Sequence, residues 1–100
     1  MRRLLVTLMV LAALFVFAEV GVYPDKVVVG TFQALSGPYA VIGQEMSKGL
    51  LAYFNWINRI NGVYGRKIEL IIADDQLNPT KTVVEVKRLV ESDKVFAIVG

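Results

Sequence analysis

The sequence predicts an α/β fold, a partial doubly wound parallel sheet with the element order β-α-β-α-β. Three apolar runs have the length of strands, at 26–32, 67–73 and 94–100, and the first shows no apolar–polar alternation, which is typical of a strand buried on both faces. Two segments between these runs repeat apolar residues every three or four positions, as amphipathic helices do. Strands joined by helical crossovers pair in parallel through right-handed connections, so half of a doubly wound sheet is expected.

The first half of this pattern contains a β-branched strand, a loop and a long helix. The strand at 26–32 is followed by a loop in which Gly37-Pro38 marks the break. The helix is predicted from about 42 to 60, and Asn61-Gly62 ends it because both residues tolerate the left-handed conformation of a helix C-terminus. The stripe expected to face the sheet consists of Met46, Leu50, Tyr53, Ile57 and Ile60, widened by Phe54 and Trp56.

The second half repeats the arrangement with a shorter helix. The strand at 67–73 carries Asp74-Asp75 at its carboxyl end, and the next helix opens at Asn78-Pro79. Asparagine caps that helix, and proline occupies the first turn, where its missing N–H costs nothing. The helix stops at 91–93, before the third strand at 94–100. Its apolar stripe is predicted to consist of Val83, Val86 and Val90, with Leu89 beside them.

The first 18 residues have the pattern of a secretory signal peptide. Met1-Arg2-Arg3 is a positively charged start, the following run is apolar except for Thr7, and Val16-Phe17-Ala18 offers a small residue at the exit. We therefore predict cleavage after Ala18. The alternative is a membrane anchor, but a spanning helix needs about 20 apolar residues, more than this run supplies. The absence of cysteine excludes a lipid-anchored form.

Cleavage there divides the chain into a signal peptide at 1–18, a mature N-terminal segment at 19–25 and a partial domain at 26–100. It also changes the charge, because the net +2 of the whole chain falls to zero once Arg2 and Arg3 are removed. No basic cluster remains that would neutralise several phosphates, so nucleic acid is not an expected partner. The lack of cysteine means no disulfides, which is compatible with a bacterial periplasm.

The loop after the first strand is the candidate ligand-binding segment. Ligands of open α/β sheets bind at the carboxyl ends of the strands, and Ser36, Gly37, Pro38 and Tyr39 lie there. The Ser36 hydroxyl, the backbone N–H groups and the N-terminus of the next helix would suit a polar ligand. Ordinary turn chemistry is an equally weighted alternative. The glycines of this region are spaced seven and six residues apart, so they match no dinucleotide-binding fingerprint.

Asp74-Asp75 allows two interpretations. The pair would suit a metal or a phosphoacceptor site, as in receiver domains, but receivers carry their acidic pair after the first strand and work in the cytoplasm. A loop anchor, in which the carboxylates accept backbone N–H groups of the next turn, is therefore the favoured prediction.

Catalysis finds little support in the sequence. The chain has neither His nor Cys, and no serine stands in a nucleophile elbow. Tyr53, Phe54 and Trp56 are predicted to pack against the sheet rather than to form a cofactor box. No catalytic residue, metal site or cofactor is expected.

Four motifs lie in register along residues 25–100. They are Ala-Leu-Ser-Gly-Pro-Tyr-Ala at 34–40 with Gly43 beyond it, Asn-Gly-Val-Tyr-Gly-Arg-Lys-Ile at 61–68, Asp-Asp-Gln-Leu-Asn-Pro at 74–79 and Val-Phe-Ala-Ile-Val-Gly at 95–100. Together these motifs resemble the branched-chain amino acid (Leu/Ile/Val) binding proteins of ABC transporters.

The resemblance implies a type I periplasmic binding protein fold, in which two α/β lobes close on a ligand by hinge motion. This chain would be the N-terminal part of lobe 1, with Ser36 to Tyr39 lining the cleft. Some members place an aromatic residue over the ligand at the position of Ile42, so Ile42 is a further candidate ligand contact. In the family the ligand is held largely by the loop after the third strand and by the second lobe, so the chain is expected to be an N-terminal fragment.

The leading hypothesis is an extracytoplasmic substrate-binding component of an ABC transporter for branched-chain or related amino acids. Its partners would be a small-molecule ligand and a permease in the membrane. Three alternatives stay open: a ligand-binding ectodomain of a sensor or receptor, an exported α/β enzyme, and a truncated product without function. The last would leave an unpaired sheet edge and an uncovered apolar face.

Overall fold

The computed structural model describes residues 2–6 and 19–100. The predicted element order is confirmed, with strands β1 (Lys26–Gln33), β2 (Lys67–Asp74) and β3 (Ala97–Ile98), and helices α1 (Ala40–Arg59) and α2 (Pro79–Glu91). The strands form one parallel sheet in the order β2-β1-β3. Right-handed crossovers with this strand order place α1 and α2 on opposite faces of the sheet.

The predicted signal peptide at 1–18 is described only in part. Residues 2–6 are helical and exposed, and the rest of the segment, including the predicted cleavage site, lies outside the described residues. Within 2–6 and 19–100, no helix is both long enough and apolar enough to cross a membrane.

The segment at 19–25, predicted to be the mature N-terminus, is joined to the sheet. Val28 N–H donates to the Gly21 carbonyl at 2.8 Å, and Lys67 N–H donates to the Asp25 carbonyl at 3.0 Å. Gly21 is buried with φ +76°, and a β-carbon there would lie 2.3 Å from the Phe96 nitrogen. Only glycine therefore allows this segment to pass so close to the backbone that leads into β3.

The third strand is shorter than the sequence predicts. Strands β1 and β2 pair along their full lengths, from Lys26 opposite Lys67 to Gln33 opposite Asp74, whereas only Ala97 and Ile98 of the predicted run at 94–100 form β3. Lys94 has φ +52° and Val95 N–H donates to the Leu89 carbonyl. The beginning of the predicted strand therefore belongs to the turn that follows α2.

The core lies between α2 and one face of the sheet. Val28, Ala73, Leu89 and Val95 form its buried cluster. At Gly30 a β-carbon would lie 3.0 Å from the Leu89 side chain, so Leu89 rests directly on the β1 backbone. The apolar stripe predicted for α2 is wrong in part, because Leu89 is fully buried and Val86 half-buried, while Val83 and Val90 are mostly exposed.

The stripe predicted for α1 is also wrong in part. The helix buries Gly43 and Ser47 and half-buries Leu50, Phe54 and Ile57. The predicted packing of Tyr53 and Trp56 against the sheet fails, because these side chains are 58% and 51% exposed; Met46 and Ile60 are exposed as well. The reason is a close approach at Gly43, where a β-carbon would lie 1.9 Å from the Ala34 carbonyl oxygen. Gly43 and Ser47 are the buried residues on the face of α1 that meets the sheet, and the half-buried Leu50, Phe54 and Ile57 extend it.

Asn58 fixes the other end of α1 to the sheet. Its side-chain nitrogen donates to the Ile68 carbonyl at 2.8 Å, and its side-chain oxygen accepts the Ile68 N–H at 2.7 Å. The amide therefore satisfies both backbone groups of one β2 residue. Together with the contact at Gly43, this pair of bonds determines the position of the α1 N-terminus over the carboxyl edge of the sheet.

Candidate functional site

The carboxyl ends of β1 and β2 bring two loops side by side. Gln33 pairs with Asp74 at the end of the ladder, and Asp75 N–H donates to the Gln33 carbonyl at 3.1 Å. The loop after β1 contains the predicted ligand segment at 36–39, which we call the ligand loop. The turn at 75–78 lies against it at the edge where open α/β sheets bind their ligands.

The Asp74 carboxylate joins these two loops. It accepts the Ser36 hydroxyl at 2.6 Å, the Leu35 N–H at 2.9 Å and the Gln76 N–H at 3.1 Å. The Ser36 hydroxyl bond and then the Leu35 N–H bond stabilise the ionised carboxylate, so the pKa of Asp74 lies below its ordinary value. Asp74 therefore works as a loop anchor, which confirms the prediction made for it.

Asp75 is the second anchor and points into the protein. It is only 2% exposed, and its carboxylate accepts the Leu77 N–H at 3.0 Å and the Thr82 hydroxyl at 2.7 Å. These bonds join the turn to the first turn of α2 and confirm the predicted anchor role. Within residues 2–6 and 19–100, no three His, Cys, Asp or Glu side chains are grouped as a metal site.

The Ser36 hydroxyl is engaged within the protein. Its single hydrogen goes to Asp74 at 2.6 Å, and its oxygen accepts the Gln76 side-chain amide at 3.0 Å. A hydroxyl has only one hydrogen to donate, so Ser36 has none left for a ligand in this conformation. The direct ligand contact predicted for Ser36 stays a prediction. In this conformation its hydroxyl oxygen can accept a further hydrogen bond from a ligand but cannot donate one.

The rest of the ligand loop is open to solvent. Gly37 has φ +83°, a conformation that favours glycine, and Pro38 beside it is exposed. Tyr39 is 51% exposed, and Ile42 in the first turn of α1 is 68% exposed. These side chains are accessible at the predicted place, and their role in binding stays a prediction.

The N-terminus of α1 carries donors without partners. Tyr39 occupies the cap position and makes no side-chain cap bond, whereas Asn78 caps α2 by accepting the Thr80 and Lys81 N–H groups. Within the described part of the chain, the N–H groups of Gly37 and Tyr39 have no acceptor. Free N–H groups and the helix dipole at such a terminus favour a carboxylate or another negatively charged oxygen.

Gln76, which bonds to the ligand loop, was not predicted as a site residue. Two side chains near the end of β1 were not predicted either: buried Thr31 accepts the Gln33 amide at 2.9 Å. A β-carbon at Gly100 would lie 2.8 Å from the Thr31 hydroxyl oxygen. The end of the third predicted run therefore reaches the same edge of the sheet.

The lowered pKa of Asp74 predicts an acid-dependent loss of stability. A carboxylate with a folded-state pKa below its unfolded value stabilises the fold above the unfolded pKa of about 3.9 and loses that contribution as pH falls through the folded pKa. We expect Asp74→Asn to lower the free energy of unfolding near neutral pH and to flatten its dependence on pH below about 4. Urea unfolding between about pH 6 and pH 3 measures both effects.

The matched control is Glu91→Gln, which removes one negative charge from an exposed side chain at the end of α2. It should leave the acid-dependent slope close to that of the unchanged protein. Equal slopes in Asp74→Asn and the unchanged protein would contradict a special role of Asp74.

This parallel α/β layer has an exposed loop and an uncapped helix N-terminus at its carboxyl edge, the edge at which open α/β sheets bind ligands. Comparison with known proteins agrees, because residues 26–100 match the family model for periplasmic binding proteins. Over 100 residues the chain is 33% identical to Leu/Ile/Val-binding protein homolog 1 of Brucella abortus, covering all of this chain and 26% of that protein.

Two solved structures resemble the chain closely. The substrate-binding protein of a branched-chain amino acid transporter from Streptococcus pneumoniae, in complex with isoleucine, has a TM-score of 0.73 and 28% identity, over 76% of this chain and 22% of that one. A fatty acid ABC transporter substrate-binding protein from Thermomonospora curvata has a TM-score of 0.72 and 30% identity, over 80% of this chain and 20% of that one.

The chain belongs to the periplasmic binding protein family. It spans about a quarter of the length of the curated relative. The fold predicted from the sequence, the first part of lobe 1 of a type I periplasmic binding protein, is confirmed by these structures.

Proposed function

We propose that this chain supplies the first-lobe rim of an extracytoplasmic substrate-binding protein for an ABC transporter. The observation that carries the proposal is the ligand loop of this chain at the carboxyl edge of the sheet. Its Tyr39 is exposed, and within the described residues the N–H groups of Gly37 and Tyr39 have no acceptor. Such a rim binds solute reversibly when a second lobe closes over it. The protein delivers the solute to a membrane permease and carries out no chemical reaction.

The proposed ligands are branched-chain or related amino acids. Free N–H groups at the α1 N-terminus suit a carboxylate, and exposed Tyr39 and Ile42 supply apolar surface for an aliphatic side chain. A fatty acid has the same two features, and the relative from Thermomonospora curvata is named for that ligand.

The proposed location follows from the N-terminal pattern and the family. Residues 1–18 act as an export signal that is removed after Ala18, and the mature protein works outside the cytoplasm. The match to periplasmic binding proteins supports this location. N-terminal sequencing of the secreted protein tests the cleavage site, and a start at residue 19 is the expected result.

Calorimetry on the complete gene product that contains these 100 residues tests the function. We expect binding of leucine, isoleucine or valine. Tyr39→Ala should raise the dissociation constant about tenfold, because an apolar contact of about 1.4 kcal/mol is lost. The matched control is Tyr64→Ala, which removes a 95% exposed tyrosine from the turn between α1 and β2 at the opposite edge of the sheet.

Two outcomes would contradict the proposal, each at a different level. Binding of a fatty acid but of none of the three amino acids would overturn the ligand class and leave the transport role intact. Equal affinities in Tyr39→Ala and Tyr64→Ala would overturn the assignment of the ligand loop.

A further inference from the structure

One side chain, Gln76, connects the ligand loop with α2. Its side-chain nitrogen donates to the Ser36 hydroxyl oxygen at 3.0 Å, and its side-chain oxygen accepts the ammonium of Lys81. A β-carbon added at Gly37 would lie 3.7 Å from the Gln76 β-carbon, so Gln76 lies beside Gly37. Gln76 therefore bonds to one residue of the ligand loop, Ser36, and lies beside the next.

The backbone that presents Gln76 is held in an unusual conformation. Gln76 and Leu77 both have φ +53°, in the left-handed region that residues other than glycine rarely occupy. Asp74 accepts the Gln76 N–H at 3.1 Å, and Asp75 accepts the Leu77 N–H at 3.0 Å. Strained conformations persist where the surroundings hold them, and they concentrate at ligand-binding segments.

We infer that Gln76 is a positioning residue for ligand binding. Through its bond to Ser36 it holds the ligand loop in the conformation that leaves the N–H groups of Gly37 and Tyr39 free for the ligand. Ser36 serves as the attachment point of this contact, because its only hydrogen is donated to Asp74. The inference rests on the proposed function for its effect on affinity, but not for its effect on the loop.

The first test is a double-mutant cycle on the affinity for isoleucine, measured by calorimetry on the complete gene product. Loss of one neutral hydrogen bond predicts that Gln76→Ala binds about three- to tenfold more weakly. In the Ser36→Ala background, Gln76→Ala should have no further effect, because both changes remove the same bond. Independent effects that multiply, or an unchanged affinity in Gln76→Ala, would overturn the inference.

The second test uses a matched pair of lysines on α2. Lys81→Met removes the partner of the Gln76 side-chain oxygen, whereas Lys87→Met removes the same charge from an exposed position later on the helix. We expect weaker isoleucine binding in Lys81→Met and an unchanged dissociation constant in Lys87→Met. Equal effects of the two substitutions would show that charge alone acts, which contradicts positioning by Gln76.

The third test needs no ligand and separates this inference from the proposed function. Hydrogen exchange of the peptide covering residues 35–41 should be about three- to tenfold faster in Gln76→Ala than in Lys87→Met, because the loop opens more often without its contact. If the unchanged protein binds none of the solutes, the proposed function fails. Hydrogen exchange of the loop then tests by itself whether Gln76 positions the loop. Equal exchange rates of this peptide in Gln76→Ala and Lys87→Met would overturn the inference, even if Gln76→Ala also lowers the unfolding midpoint.

Discussion

Gly43→Ala is expected to lower the free energy of unfolding of the chain by about 3 kcal/mol, the upper end of the cost of overpacking. The new β-carbon would lie 1.9 Å from the Ala34 carbonyl oxygen and 2.5 Å from its carbonyl carbon. Both atoms belong to backbone, so no side-chain rotation relieves the clash. Helix α1 must move away from the loop after β1, and urea unfolding followed by circular dichroism measures the cost.

Gly49→Ala is the control in the same helix. A β-carbon at Gly49 has no neighbour within 4 Å. Alanine there should raise the free energy of unfolding by about 0.5–1 kcal/mol, because glycine is the weaker helix former. The two substitutions are chemically identical and are expected to have opposite signs. A stabilising effect of Gly43→Ala would show that α1 does not approach Ala34 so closely.

Leu89→Ala is expected to lower the free energy of unfolding by about 2–5 kcal/mol, the usual range for emptying a core position. Leu89 is fully buried and lies against Gly30, Val28 and Val95. Its truncation leaves a cavity between α2 and the sheet. The expected observation is a cooperative unfolding transition with its midpoint at a lower urea concentration.

Val90→Ala is the neighbouring control. Val90 is 53% exposed, so its truncation removes little buried surface, and the expected change is within about 0.5 kcal/mol. A larger loss for Val90→Ala than for Leu89→Ala would mean that α2 presents the other side of its apolar surface to the sheet. That result would restore the stripe predicted from the sequence.

The candidate site was predictable in position but not in detail. Apolar runs and turn residues located the ligand loop at the carboxyl edge, since parallel strands connected by helices must end there. The Asn78 cap and the anchoring of the next turn by Asp74 followed from local chemistry and are confirmed by their hydrogen bonds. The engagement of Ser36 with Gln76 was not predictable, because the two residues are 40 positions apart and meet only when β1 and β2 pair.

The sequence by itself determined the order of the elements, the parallel pairing and the edge that carries the ligand loop. Those features depend on local periodicity, capping and turn chemistry, which act over a few residues. Only the tertiary structure decided which face of α1 meets the sheet, because the helix has apolar residues on two sides. The choice depends on how closely two backbones approach, and at Gly43 that approach leaves no room even for a β-carbon. The same close approach holds the N-terminus of α1 over the carboxyl edge of the sheet, next to the ligand loop.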